Sequence, residues 1–362
     1  MIKFRDLSVN SKSNIYSSYL KSFKKVLNHG QIIMGPEVKL LENKISKICN
    51  RKYCLAVSSG TDALILGLRA LNLKPKSHII VPCMSWIATA NAIIAAGHLP
   101  VFADIDDQLN IDINSLRRVY SPKVKALIYV NFAGKMANID CINKFAKEKK
   151  ILVVEDGSQA FGAKYKNIIN GQNGTLSAIS MNPMKVLGSL GELGVVLTNN
   201  KKIYDKMKLL RYNGTKGGGK CYLPGYNYRP DTIQCAIILD NLKIYKLIIN
   251  KREFNFNYLQ KHLKEYVDFL KKNPECKDSH YVLPVYVKKR RALINYLKKK
   301  NIETRIHHLP LMPMNKAYKN YKSDIENGKK ISKLLLSIPS HEGLSKSNLN
   351  KIIKEIKNFY EK

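Results

Sequence analysis

Residues 151–198 read ILVVEDGSQAFGAKYKNIINGQNGTLSAISMNPMKVLGSLGELGVVLT, and the way they fold decides the rest of the 362-residue chain. Four apolar residues, Ile151 to Val154, run straight into Glu155-Asp156, the pattern of a buried strand that delivers a carboxylate at its C-terminal end. Open α/β sheets keep their ligands at that edge. Ala178 to Met181 reads as a further short strand, after which Asn182-Pro183-Met184 turns the chain and sets Lys185 just beyond it. No charged residue follows Lys185 until Glu192, whereas most lysines here stand in solvated clusters such as Lys298, Lys299 and Lys300. So dry a setting suits a Schiff-base nucleophile. The alternative is a loop lysine that reaches solvent along its own stem.

Composition narrows the function classes. Hydrophobic residues make up 45% and charged residues 25%, as in a globular protein long enough for one large core and a smaller second unit. No run approaches the roughly 18 apolar residues of a membrane helix. The opening MIKFRDLSVNSKSN lacks the apolar stretch of a signal peptide, so a cytoplasmic protein without membrane insertion is expected. Seven cysteines, scattered and without a C-x-x-C pair, read as reduced packing residues and not as a disulfide framework or zinc site. The net charge of +35, from 62 Lys and Arg against 27 Asp and Glu, raises nucleic acid as a partner. The lysines are spread along the whole chain, however, with no basic arm and no groove-reading motif, so no nucleic acid is expected. What survives is attraction for anionic substrates.

Taken in order, apolar positions at helical spacing mark helices over 13–29 and from Pro36 through Ile48. Cys54 to Val57 is a strand, and Ser58-Ser59-Gly60-Thr61-Asp62 breaks it before a helix that starts at Ala63. Strand, small-residue turn and helix N-terminus together make an anion site; as a local feature the turn could equally be a plain cap by Ser59 or Thr61. Ile79 to Pro82 is a strand, Met84 to Asn91 opens a helix, and strands follow at Pro100–Asp106 and Val124–Val130 with a helix at Ile139–Ala146. This alternation over 53–200 predicts a mostly parallel central sheet covered by helices on both faces. Gly214 to Lys220 satisfies G-x-x-x-x-G-K, but a helix precedes it where a P-loop needs a strand, and Cys221 stands where the metal-binding Ser or Thr belongs. A glycine loop at the mouth of the site fits better. A helix running from Asp231 towards Arg252 hands over to a smaller α+β unit with a strand at His280–Val287 and helices at Arg290–Lys300 and Ser347–Tyr360. The expected domains are residues 1–245 and 246–362.

Three motifs in order carry a resemblance: Asp156-Gly-Ser-Gln159-Ala160, then Ser180, then Asn-Pro-Met-Lys185-x-Leu-Gly188-x-Leu-Gly-Glu-x-Gly194. With Gly225-Tyr-Asn227-Tyr-Arg229, they resemble the signature of the DegT/DnrJ/EryC1/StrS family of pyridoxal-phosphate sugar aminotransferases. The resemblance implies the fold type I α/β architecture of such enzymes, with a smaller C-terminal α+β domain, and pyridoxal 5'-phosphate as cofactor on Lys185. It implies Asp156 at the pyridine nitrogen, chosen over Glu155 also because neighbouring strand residues face opposite ways. Gln159 would contact the ring hydroxyl, and Trp86 would stack on the ring. Gly60, Thr61 and Ser180 would surround the phosphate, joined by Asn227 from a neighbouring subunit, which implies a homodimer with two shared sites. The implied reaction moves an amino group, with glutamate as donor, onto a nucleotide-linked keto-sugar for surface polysaccharide, with a lean towards C3 over C4. Lys185 sets the chain apart from relatives that carry histidine there and dehydrate the sugar. Asn131 stands where the family often has histidine, Leu193 replaces a common glycine, and Pro230 and Cys235 also depart from the pattern. A sugar dehydratase or amino-acid lyase of the same fold and a non-catalytic basic binding or regulatory protein are the alternatives. His307 and His308 read as loop or interface residues, and no metal site is expected.

Overall fold

The computed structural model describes residues 1–361. Helices α1 (Asn14–His29) and α2 (Pro36–Ile48) lead into β1 (Tyr53–Val57), and then helix and strand alternate. The order is α3 (Gly60–Ala70), β2 (His78–Pro82), α4 (Ala88–Ala95), β3 (Leu99–Ala103), α5 (Ile113–Val119), β4 (Val124–Val130), α6 (Ile139–Lys149) and β5 (Leu152–Asp156). Two short strands, β6 (Lys164–Tyr165) and β7 (Ile168–Ile169), precede β8 (Leu176–Ser180) and β9 (Gly194–Thr198). Helices α7 (Lys201–Arg211), α8 (Thr232–Asn241) and α9 (Tyr245–Leu263) follow. The last part holds β10 (Asp268–Phe269), β11 (Cys276–Lys277), β12 (Leu283–Tyr286), α10 (Arg290–Lys299), α11 (Glu326–Leu334), β13 (Leu335–Ile338) and α12 (Lys346–Tyr360).

Seven strands form the central sheet in the order β1-β9-β8-β5-β4-β2-β3. The neighbours from β8 to β3 are parallel, and β9 alone runs against both β8 and β1. Alternate residues of each strand serve opposite faces: Val154 packs with Ile79, Ile128, Leu176 and the α3 leucines, whereas Val153 packs with Ile80, Leu127 and Phe145. Burial on both faces is why these strands read as unbroken apolar runs. The C-terminal unit is a second cluster, where β12 and β13 pair and carry α9, α10 and α12 on a core of Leu259, Leu293, Leu349 and Ile352. Ile2 joins that cluster and bridges to Ile302, so the first residues of the chain pack with its last third.

The observed architecture is the expected fold type I α/β arrangement. Three local expectations are revised. The helix expected from Met84 starts only at Ala88, and in the intervening loop Ser85 turns its hydroxyl to Thr89 Oγ1, 3.0 Å away. The single helix expected from Asp231 to Arg252 is two. At the end of α8 the Asp240 and Asn241 side chains turn to Ser22, Tyr19 and the Gly188 carbonyl, and α9 restarts at Tyr245. Of the strand expected over His280–Val287, only Leu283–Tyr286 pairs. No helix among the described residues is long and apolar enough to cross a membrane.

Candidate active site

The sheet brings the C-terminal ends of β5 and β8 beside the N-terminus of α3. At the end of β5, two consecutive carboxylates part company as strand alternation requires. Glu155 is fully buried and points away from the site. It accepts hydrogen bonds from Asn131 Nδ2 (2.8 Å), Gly171 N (3.0 Å), Asn173 N (3.2 Å) and Ser177 Oγ (2.7 Å). Burial pushes its pKa up, and the donors around it oppose that shift. Asp156 instead faces the cleft, where Oδ2 accepts from Thr89 Oγ1 (2.9 Å) and Oδ1 from Ser158 N (3.1 Å).

The turn after β1 approaches the end of β8 closely. Ser59 caps α3, its hydroxyl accepting from the Asp62 amide at 3.1 Å. That leaves the earlier amides of the first turn, on Gly60 and Thr61, for another acceptor. A side chain at Gly60 would put its Cβ 2.4 Å from Cβ of Ser180, so only glycine allows this approach. A β-carbon at Gly194 would meet the Ser59 carbonyl oxygen at the same 2.4 Å. Helix dipole, free amides and the Ser180 hydroxyl make an anion-binding corner.

Lys185 lies on the loop that links β8 to β9. Asn182 shapes it, its side chain accepting from Met184 N (3.0 Å) and its carbonyl from Lys185 N (2.9 Å). The lysine is half-buried, and its Nζ lies 5.0 Å from the centroid of the Tyr281 ring.

A cavity of about 570 Å³ lies between these parts. Of the residues expected at the site, Gly60, Thr61, Trp86, Asp156, Gln159, Ser180 and Lys185 all line it. Gln159 is anchored by accepting from Ala133 N (2.9 Å). Trp86 is 55% exposed, its ring tilted against His308 at 5.5 Å between centroids. Asn227 does not line the cavity: its side chain accepts from Arg229 Nε (2.9 Å) and its backbone bridges to Tyr212. Asn131, in the position where histidine is common, is fully buried and spends its amide on Glu155, Asn170 and Ala137 N.

Several lining residues escaped the sequence reading. Tyr281, His307 and His308 enter from the C-terminal unit, and Ser85, Thr89 and Glu192 from the large one. Burial first, and then the nearby positive Lys185, push His307 down to about 4. Burial, His307 and Lys185 push His308 down to about 3. Both rings are therefore neutral near pH 7. The adjacent histidines were visible as a pair in the sequence, but nothing local says they fold back over a lysine as distant in the chain as Lys185. Among the described residues no cluster of histidine, cysteine and carboxylate could hold a metal. The loop Gly214–Cys221 is a turn closed by a Thr215–Cys221 bridge, fed by α7 and not by a strand, and it borders a second cavity of about 790 Å³ with Arg211 and Arg229.

The donor set fits pyridoxal phosphate: an amine, a buried carboxylate with its own donors, an aromatic wall and an anion corner share one cavity of small-molecule size. Comparison with known proteins agrees. The model of the DegT/DnrJ/EryC1/StrS aminotransferase family matches residues 14–357. The chain is 31% identical over 364 residues to the UDP-2-acetamido-2-deoxy-3-oxo-D-glucuronate aminotransferase of Pseudomonas aeruginosa, covering 99% of this chain and 100% of that one. A DegT DnrJ EryC1 StrS aminotransferase from Brucella abortus superposes with a TM-score of 0.94 at 26% identity over the whole of both chains. NtdA from Bacillus subtilis, solved with bound cofactor PMP, superposes with a TM-score of 0.92 at 25% identity over 98% of this chain and 83% of that one.

Proposed function

This chain belongs to the DegT/DnrJ/EryC1/StrS aminotransferase family, and we propose that it is a pyridoxal-phosphate-dependent aminotransferase that moves an amino group from glutamate onto a nucleotide-linked keto-sugar. The observation that carries the reading is the shared cavity between Lys185 and Asp156, walled by Trp86 and closed by the first turn of α3.

Bound there, pyridoxal phosphate would supply an aldehyde with which amines condense and a ring that accepts electrons. The residues of the chain do the rest. Asp156, oriented by Thr89 and Ser158, would hold a proton on the ring nitrogen. Gln159, fixed by Ala133, would take the ring hydroxyl. The amides of Gly60 and Thr61 and the hydroxyl of Ser180 would bind the phosphate. Lys185 Nζ would take the proton from Cα of the donor and hand it to the carbon that carried the cofactor's aldehyde, and would carry a proton the opposite way, from that carbon to the former ketone carbon of the sugar. His307 and His308, held neutral, can accept or donate hydrogen bonds without adding positive charge beside the amine.

We assign Asn227 to the phosphate of a partner subunit, in a homodimer with two shared sites. The keto-sugar substrate is supported by the Pseudomonas aeruginosa relative, whose substrate carries a 3-oxo group, and this favours a C3 ketone. A net charge of +35 would draw such anionic substrates in. The reading includes a cytoplasmic role in surface polysaccharide synthesis and a division of the chain near residue 245. The test is turnover of a panel of UDP-, dTDP- and GDP-linked 3- and 4-keto-sugars with glutamate, following 2-oxoglutarate. Absence of 2-oxoglutarate with every sugar, from protein that binds the cofactor, would refute it.

A further inference from the structure

Residues from separate stretches of the sequence, Arg5, Arg252, His280-Tyr281 and Glu342, close a ring of contacts around Lys185. Arg5 Nη2 donates to the Lys185 carbonyl at 3.2 Å, and Arg5 Nη1 donates to Glu342 Oε2 at 2.9 Å. The same carboxylate oxygen accepts from Arg252 Nε at 2.7 Å. Arg252 Nη1 reaches the carbonyls of His280 (3.4 Å) and Tyr281 (3.3 Å), and the ring of Tyr281 faces the lysine amine. Both ends of Lys185, main chain and amine, are thus held by partners that converge on Glu342.

The chemistry of the three charged groups makes this a rigid clamp. Arg252 is completely buried and Arg5 nearly so, with side-chain exposures of 0% and 12%, while Glu342 is 28% exposed. A guanidinium out of water stays where its carboxylate is. Its planar fork can hold a carboxylate with one nitrogen and a backbone carbonyl with another. Arg5, Arg252 and Glu342 do not line the cavity, so they act only through Lys185 and Tyr281. Arg5 comes from the first residues of the chain and Glu342 from the segment after β13, so seating the C-terminal unit and aiming the amine become one event.

We propose that Glu342, through Arg5 and Arg252, is a positioning residue that fixes Lys185 for proton transfer. This rests on the reading of Lys185 as the working amine. The test uses Arg5→Met, Glu342→Gln and their combination in the full-length protein. Three quantities are read: kcat, KM for glutamate, and the rate at which a water-soluble amine-acylating reagent modifies Lys185 in cofactor-free protein, measured by peptide mass spectrometry against exposed Lys264. A misaimed amine costs roughly 10- to 100-fold in kcat, with KM within about twofold and the Lys185 acylation rate shifted relative to Lys264. The double variant should be no worse than the more damaged single one, because both cut the same link. Arg5→Lys, which can pair with Glu342 but cannot fork, should recover part of kcat. If Glu342→Gln fails to fold because it strands Arg252, Arg5→Met still decides, since it leaves the Arg252–Glu342 pair in place. Lowered melting with unchanged kcat and unchanged acylation would overturn the proposal in favour of a scaffold role, as would multiplicative losses in the double variant. If Lys185→Ala is inactive while the Arg5 and Glu342 variants work normally, only the clamp fails; if Lys185→Ala turns over normally, the underlying reading fails.

Discussion

Glu155 and Asp156 are adjacent carboxylates with separate duties, and amide replacement of each should separate them. In Glu155→Gln one oxygen becomes an NH₂ group facing donors. The least harmful orientation turns it towards Asn173 N and Ser177 Oγ, where the Ser177 hydroxyl can rotate to accept but the Asn173 amide cannot. One buried amide is then orphaned, at about 1–3 kcal/mol, and Arg51, which bonds Ser177 in the same pocket, loses its counter-charge. The expected loss of stability is about 2–4 kcal/mol by these terms, with kcat per folded molecule unchanged. Asp156→Asn keeps its fold, because the new amide has the cavity before it and can still accept from Ser158 N. It loses the charge that would hold the ring proton. A hydrogen bond to a charged group is worth about 1.5–3 kcal/mol, so kcat should fall at least roughly 10- to 150-fold. Urea unfolding followed by circular dichroism gives the first quantity, and 2-oxoglutarate release with a keto-sugar acceptor gives the second. If Asp156→Asn retained its kcat, or if Glu155→Gln lost kcat without losing stability, the division of labour would be refuted.

Further outcomes follow from the same geometry. Inactive Lys185→Ala mixed with an inactive Asn227→Ala variant should regain activity through hybrid dimers; no recovery despite demonstrated subunit exchange would count against a shared site. Gly60→Ala brings a methyl to 2.4 Å from Cβ of Ser180, an overlap that costs about 1–3 kcal/mol and should weaken cofactor affinity measured by equilibrium titration. An unaltered affinity would show that the α3 turn does not bind the phosphate. His307 and His308 are pushed down to about 4 and about 3 by burial and the charge of Lys185. The unfolded chain, with histidines near the ordinary 6.5, therefore binds more protons in the window from about 6.5 down to about 4 for His307 and about 3 for His308. Their neutral burial is stabilising above that window, and the contribution drains away as pH falls through it. A His307→Asn/His308→Asn variant should show a shallower loss of stability than the parent over those pH values in denaturant titrations; an identical slope would exclude the effect.

Much of the frame was legible because parallel strands buried on both faces leave short apolar runs, and because the Glu155-Asp156 pair and the lone Lys185 interrupt such runs with charge. Direction was not legible. Gly194–Thr198 looks like any buried strand, and apolar patterning reports burial without saying that β9 runs against both of its neighbours. The break between α8 and α9 depends on Asp240 and Asn241 finding partners on α1 and the lysine loop, contacts that no local window contains. The same holds at the site, where the parts drawn from strand ends and turns were foreseen as single features. Tyr281, His308 and the Arg5–Glu342–Arg252 set arrive from the C-terminal unit and from the first residues, so their relevance exists only once the chain has closed.

The most direct measurement is borohydride reduction of the protein loaded with pyridoxal phosphate, followed by peptide mapping of the pyridoxylated residue. One modified lysine per chain, Lys185, is expected, with loss of the label in Lys185→Ala. A label spread over surface lysines, or one that persists undiminished in Lys185→Ala, would contradict it.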